Sequence, residues 1–286
     1  MNRRLTLLFL FSAAVYALNA QIKFRGSNIM EYQLGNLPNL NPDYQSALYD
    51  QLNLALRFKE FGLDARVEQY YPSFGEDSDY TKLSQLTFQY KSDLLDVEIG
   101  NLYGSFGRGL LLRTYEIPGS IWETRGYRVR YGFYRDLLGA SLKFNINNWE
   151  IKAIRGEVLD VTLPPTIGED QERRPDLVEG FQTSYRFSNQ SVGVVLMRHI
   201  TEDQADPNAS DPGKYLSLFY DGVVFDKLTV YGEVAKQLGN EVSIGNFTDE
   251  AAYGGYVGLS FYFLNFGGSV EYKDYHNFSL GTGMND

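Results

Sequence analysis

Leu83-Ser84-Gln85-Leu86-Thr87-Phe88-Gln89-Tyr90 decides the fold. Leu86, Phe88 and Tyr90 alternate with Gln85, Thr87 and Gln89, the period of two that places apolar side chains on one face of a β-strand. Gly180-Phe181-Gln182-Thr183-Ser184-Tyr185-Arg186-Phe187 repeats the pattern, with Phe181, Tyr185 and Phe187 on one parity and Gln182, Ser184 and Arg186 on the other. Working outward in both directions, segments of this kind fill the chain. A bilayer-crossing strand needs about 9–11 tilted residues, and alternating segments near that length are the mark of a transmembrane antiparallel up-and-down β-barrel.

The first twenty residues stand apart. Arg3 and Arg4 precede an apolar stretch over 5–15, and Ala-Leu-Asn-Ala at 17–20 satisfies the small-residue cleavage rule. Residues 1–20 therefore read as a signal peptide and 21–286 as the barrel domain, with export to the cell outer membrane. The apolar stretch is too short for a spanning helix, and no later segment approaches about eighteen apolar residues. Cysteine is absent, which excludes disulfides, thiolate metal sites and a lipid-anchored N-terminal Cys. Tyr (22), Phe (19) and Gly (28) are abundant while mean hydropathy is slightly negative. A barrel explains this combination because only one face of each strand must be apolar. The formal charge of −10 becomes −12 once Arg3 and Arg4 are removed. Such a surface excludes nucleic acid as a partner, since phosphate binding relies on Lys and Arg. The partners expected are outer-membrane lipid and lipopolysaccharide, and surface or secretion proteins on the long loops.

About fifteen strands can be placed, the first over 22–33 and the last over 266–275. Links at Gly62, Ser92-Asp93, Asn189-Gln190, Phe225-Asp226-Lys227 and Leu264-Asn265 are tight, whereas 72–80, 159–176, 201–213 and 238–252 are long and acidic. Barrels keep short turns on the periplasmic side and long loops outside. Every long loop falls on one side only if 100–116 holds two strands joined at Gly104-Ser105-Phe106-Gly107, with 123–134 as the next strand. An odd strand count ends on the outer face, whereas single-chain barrels use even numbers, so the expectation is an incomplete barrel and an open, curved sheet.

Alternation then divides the faces. Leu54, Leu56, Phe58, Leu63, Ala65 and Val67 point to lipid, with Arg57, Lys59, Asp64, Arg66 and Glu68 in the lumen. Val97 and Val129 point out, while Asp96, Glu98, Arg128 and Arg130 point in. Lys143, Glu150 and Lys152 complete a lumen carrying both signs of charge, suited to cross-strand ion pairs or to a selective pore. Tyr70, Tyr71, Tyr103, Tyr115, Trp122, Trp149 and Tyr262 gather near strand ends, where amphipathic rings suit the bilayer interface.

Catalytic resources are thin. His199 and His276 are the two histidines; His199, ahead of Glu202 and Asp203, reads as a solvated interfacial residue. His276-Asn277-Phe278-Ser279 has the residue types of a Ser–His–Asn set, but such a set meets in space, not within a tetrapeptide. The acidic stretches at 77–79 and 203–206 lack the spacing of a calcium loop. No cofactor, no metal and no enzymatic activity are expected.

The most distinctive stretch runs Ile99-Gly100-Asn101-Leu102-Tyr103-Gly104-Ser105-Phe106-Gly107-Arg108-Gly109-Leu110-Leu111-Leu112-Arg113-Thr114-Tyr115-Glu116. It resembles the signature of a Bacteroidota outer-membrane β-barrel family of unknown function, carried here by Gly100, Asn101, Tyr103, Phe106, Gly107, Gly109, Arg113, Tyr115 and Glu116. Arg125-Gly126 is similar to a later element of that family. The resemblance implies an outer-membrane barrel with no established substrate, usually continuing beyond this chain's last residue. Physically, the glycines permit a tight bend or close backbone approach. A structural kink or an inward-folded hairpin is the favoured reading, with a ligand or partner site as the alternative. The functional expectation is a porin-like channel or structural surface barrel. Its rivals are a partner-binding component of a secretion or assembly system and a barrel enzyme.

Overall fold

The computed structural model describes residues 22–36, 44–71, 79–124, 127–159, 173–200, 213–225, 227–238, 252–263 and 266–278. The signal segment, most of the long acidic links, Arg125-Gly126 and Leu264-Asn265 lie outside the described residues. The chain divides into two units, Met1–Ser92 and Asp93–Asp286.

The first unit is a four-stranded antiparallel meander: β1 (Ile22–Asn36), β2 (Tyr44–Phe58), β3 (Phe61–Tyr71) and β4 (Tyr80–Lys91). Its registers put Phe24 opposite Leu56, Leu56 opposite Leu63 and Leu63 opposite Phe88, a continuous apolar row on one face. On the other face Arg25, Ala55, Asp64 and Thr87 align. The β3–β4 register shifts between Arg66 and Val67, whose partners are Gln85 and Leu83. Ser84 is the extra residue, which explains why strict alternation in this stretch begins only at Gln85. The link from β2 to β3 is the turn Lys59-Glu60, and Lys59 has φ +50°. Lys59, expected on a strand facing the lumen, is therefore a turn residue, because the ladder runs on to Phe58 opposite Phe61 and takes Gly62 into β3, which leaves Lys59-Glu60 to make the reversal.

The second unit contains β5 (Leu95–Leu102), β6 (Tyr115–Thr124), β7 (Tyr127–Arg135), β8 (Leu137–Ile146), β9 (Trp149–Leu159), β10 (Arg173–Phe187), β11 (Gln190–Ile200), β12 (Gly213–Val224), β13 (Leu228–Leu238), β14 (Tyr253–Phe263) and β15 (Phe266–His276). Strand order is β5-β8-β9-β10-β11-β12-β13-β14-β15, all antiparallel, with β6-β7 as a separate hairpin. The expected strand over 108–116 does not exist, and 123–134 is not a strand of the main sheet. The physical reason is pairing: β5 spends its hydrogen-bonding edge directly on β8, Leu95 opposite Phe144 through Leu102 opposite Leu137. The intervening segment is thereby excluded from the ladder. Short links Asn147-Asn148 and Ser188-Asn189 open on residues with φ +53°, as two-residue hairpins demand. Among the described residues β1 pairs only with β2 and β15 only with β14, so each is an edge strand of its unit, as expected.

In this unit the two faces differ in kind. On one, Phe181, Leu196, Leu218, Val234, Val257 and Leu259 are exposed; the last five come from four adjacent strands. The opposite parity carries Gln182, Val195, Met197, Ser217, Phe219, Tyr231 and Glu233, all buried. What buries this inner face is the segment between β5 and β6.

Candidate functional site: the in-folded loop

Residues 103–114 form a loop closed at its neck. Thr114 donates its backbone N–H to the Gly104 carbonyl at 2.9 Å, and the Gly104 N–H donates to Thr114 Oγ1 at 2.5 Å. Phe106 N–H donates to the Leu112 carbonyl at 3.1 Å, and Gly109 N–H donates back to the Phe106 carbonyl at 2.8 Å, closing a tight turn at the tip. Gly107 and Gly109 take φ +52° and +96°, conformations in which a Cβ is strained. Asn101 donates to Asp136 Oδ2 at 2.5 Å, tying together the ends of the segment that leaves β5 and returns to β8.

The loop turns its apolar side chains onto the sheet. Phe106 has 0% exposure, and Leu110, Leu111 and Leu112 are buried in one cluster with Ile154, Val158, Val178, Val195 and Met197. The seat for Phe106 is Gly180, where a Cβ would stand 2.1 Å from the ring. Tertiary context thus explains the glycine in the middle of β10.

The polar contacts converge on β13. Gly107 N–H donates to Gln182 Oε1 at 2.8 Å, and Arg108 N–H donates to the Tyr231 hydroxyl at 2.9 Å. Tyr231 donates in turn to Glu233 Oε2, and Ser217 donates to Glu233 Oε1 at 2.8 Å. Glu233 is 2% exposed, and the backbone N–H groups of Arg108 and Leu110 also serve its carboxylate. A buried carboxylate is tolerable only with such partners, so Glu233 acts as an acceptor hub for loop amides. The Arg108 guanidinium lies 4.5 Å from the Tyr231 ring centre and 3.2 Å from Asp221 Oδ1. Lys152 Nζ donates to the Ser105 carbonyl at 2.7 Å. Towards the short-turn end of the strands, a recess of about 380 Å³ is lined by Arg108, Asn145, Glu150, Gln182, Arg186 and Asp221, a polar chamber under the loop tip.

The charged residues expected in the lumen fall as follows. Arg57 binds Asp64 through two hydrogen bonds of 2.6 and 2.8 Å, and Arg66 Nε donates to Asn53 Oδ1 at 2.7 Å. Glu68 is buried on the same parity as Asp64 and Arg66. In the second unit Asp96 is opposite Lys143, Lys143 opposite Lys152, and Glu98 opposite Ser141. Lys143 pairs with Glu150 at 2.8 Å. Arg128 and Arg130 lie on β7, which pairs with β6 rather than with the main sheet. Among the signature residues, Phe106, Gly107 and Gly109 build the loop and its seat; Arg113 faces Ser105 across an isolated bridge; Tyr115 and Glu116 begin β6.

His199 is 4% exposed on the buried parity of β11, not solvated as expected, because this face is covered. His276 stacks on Tyr253 with ring centres 5.1 Å apart. Among the described residues no group of three His, Cys, Asp or Glu could hold a metal ion. Gln182, Ser217, Tyr231 and Glu233 escaped the sequence reading. Their one signal was a carboxylate on the same alternating parity as Tyr231 and Ala235.

No curated protein matches the chain. Solved structures similar to it include OmpT, an outer membrane protein of Vibrio cholerae, at 15% identity over 89% of this chain and 88% of that one, TM-score 0.35. OmpF of Salmonella typhi, solved with daunomycin, shares 10% identity over 88% and 89%, TM-score 0.37. OccK2 of Pseudomonas aeruginosa, solved with glucuronate, shares 11% over 92% and 95%, TM-score 0.36. A family profile matches residues 1–281, and the chain belongs to that family, described as a family of unknown function (DUF6029).

Proposed function

We propose that this protein is a porin-like channel of the outer membrane whose lumen is constricted by the in-folded loop 103–114. The observation that carries this reading is the loop itself, seated by Phe106 on Gly180 and by its amides on Glu233, across a sheet whose opposite face is apolar and exposed. A continuous exposed apolar face demands a covering, and hydrocarbon is the covering that fits alternating strands. No helix among the described residues is long and apolar enough to cross a membrane. Beneath the loop the polar chamber and the charges Asp96, Glu98, Lys143, Glu150 and Lys152 suit a hydrated path for a small polar solute. The loop narrows that path; the protein supplies no catalytic step.

The test is planar-bilayer conductance of the full-length protein beside a variant whose residues 105–113 are replaced by a short Gly/Ser linker. The proposal expects small, steady steps from the native protein and larger ones from the variant. No conductance from either would identify a structural barrel instead.

A further inference from the structure

The outer face of the second unit carries charge where the long links begin. Arg155, Glu179, Arg198 and Lys214 stand directly opposite one another across β9, β10, β11 and β12, one register row of four residues. Glu179, Arg198 and Lys214 share a parity with the exposed Phe181, Leu196 and Leu218, and Arg155 shares one with the half-buried Ala153. Glu179 bridges its neighbours, 2.9 Å from Arg155 and 2.5 Å from Arg198, while the Arg155 side chain is 69% exposed. Lys236 sits on the same face of β13, opposite Leu216 and Tyr253. Glu157 follows Arg155 on β9, so the band holds four cations and two carboxylates.

Two same-face steps from this row, about 7 Å each, the surface hollows into a groove of about 870 Å³. Its lining is apolar, with Val194, Leu218, Val234 and Val257 as walls. Gly232 and Gly255 leave open space where side chains would stand. Trp149 and Tyr185, with ring centres 4.9 Å apart and planes inclined at 57°, close the end nearer the short turns. Asp274 lies at the β15 side.

We infer that this surface binds a phosphate-bearing, acylated glycolipid of the outer leaflet, with its phosphates on Arg155, Arg198, Lys214 and Lys236 and an acyl chain in the Gly232–Gly255 groove. Charge complementarity selects the occupant: a net positive band above an apolar trough matches an anionic head above a hydrocarbon tail. The band stands at the long-link end, the external side of an outer-membrane barrel, which selects the outer-leaflet glycolipid over a phospholipid. Arg suits phosphate through its planar fork, and Glu179 holds two such forks in place. The inference rests on the membrane reading above and on no property of the lumen.

The experiment uses the full chain folded in detergent micelles and native mass spectrometry, with bisphosphorylated lipid A as probe. Dephosphorylated lipid A, phosphatidylglycerol and inorganic phosphate are the comparators. Retention of lipid A on the order of tenfold better than its dephosphorylated form is expected, the scale of one charge-assisted contact. R198Q/K214Q/K236Q should lose that preference, K214R/K236R should keep it, and G232L/G255L should weaken lipid A while leaving folding intact by protease resistance. Equal retention of the two lipid A forms, no effect of the Gln variant, or tighter phosphatidylglycerol binding would each overturn it, the last by making the occupant a phospholipid. Displacement of lipid A by inorganic phosphate alone would remove the acyl-chain role. Extraction of the wild type from vesicles by alkaline carbonate would instead defeat the membrane reading, a separate outcome.

Discussion

Gly180 lies directly beneath the Phe106 ring, 74 positions away in sequence; a Cβ there would meet Cε2 at 2.1 Å and Cζ at 2.6 Å. β10 therefore carries a glycine because a loop docks on it, and the docked ring covers the inner face in return.

Gly180→Val should expel Phe106. The loop loses its largest buried side chain, a change bounded by the roughly 3–5 kcal/mol of a Phe→Ala truncation. The strand keeps its outer face, so insertion into the membrane should persist. Limited proteolysis should cut within 103–114 in the variant and spare the native protein; unchanged resistance would mean that the loop is held by its polar contacts alone.

Those contacts are the second lever. Glu233→Leu would strand the Ser217 hydroxyl, the Tyr231 hydroxyl and loop amides without their acceptor, each costing about 1–3 kcal/mol. Glu233→Gln keeps one acceptor oxygen and should cost markedly less. Conductance and thermal unfolding, read together, separate the two: on the proposed channel reading the Leu variant should open the lumen at lower temperature, and the Gln variant should stay near native.

Gly107→Ala probes the same joint from the loop side. With φ +52° and a Cβ placed 2.7 Å from both Glu233 Oε2 and the Tyr231 hydroxyl, the methyl group meets strain and crowding together. A loss of about 1–2 kcal/mol is expected from the left-handed backbone alone. If Ala at 107 left stability and conductance untouched, the hub on Glu233 would not be what anchors the tip.

Much of this was legible in the residues. The alternation at 85–90 and 180–187 marks real strands, and the contrast of tight and long links matches the meander order within each unit. What alternation could not read was 100–116. Leu110, Leu111 and Leu112 form a short apolar run, which fits a buried strand as well as a docked loop. The deciding fact is nonlocal: β5 finds β8, which leaves the loop and the β6–β7 hairpin, with Arg128 and Arg130, outside the ladder. The burial of His199 was hidden for the same reason, since the covering lies far off in sequence. Glu233 carried no signal beyond its place on an alternating strand, and only the folded loop shows it serving amides.

The ion pair Arg57–Asp64 should matter little. Both side chains keep about a third or more of their exposure, 41% and 33%. Exposed pairs typically contribute about 0.2–1 kcal/mol. Asp64→Asn should therefore lower stability by less than about 1 kcal/mol, with a loss that shrinks as salt is raised. A larger, salt-independent loss would mean that water does not reach this face.

The division of faces yields the sharpest contrast. Leu218 is 50% exposed at the centre of the apolar face, and Val97, opposite Leu142, belongs to the parity of β5 that includes exposed Ile99. On the proposed membrane reading an arginine at either position would stand in hydrocarbon, at a cost of roughly 2–4 kcal/mol near the midplane. Glu98→Gln, on the other parity of the same strand as Val97, removes a charge from a face that already holds Asp96 and Lys143, and its penalty should be far smaller. Folding yield into vesicles, measured for Leu218→Arg, Val97→Arg and Glu98→Gln side by side, checks the assignment. Equal losses in all three would mean that the apolar face is covered by protein rather than lipid, and the channel reading would fall with it.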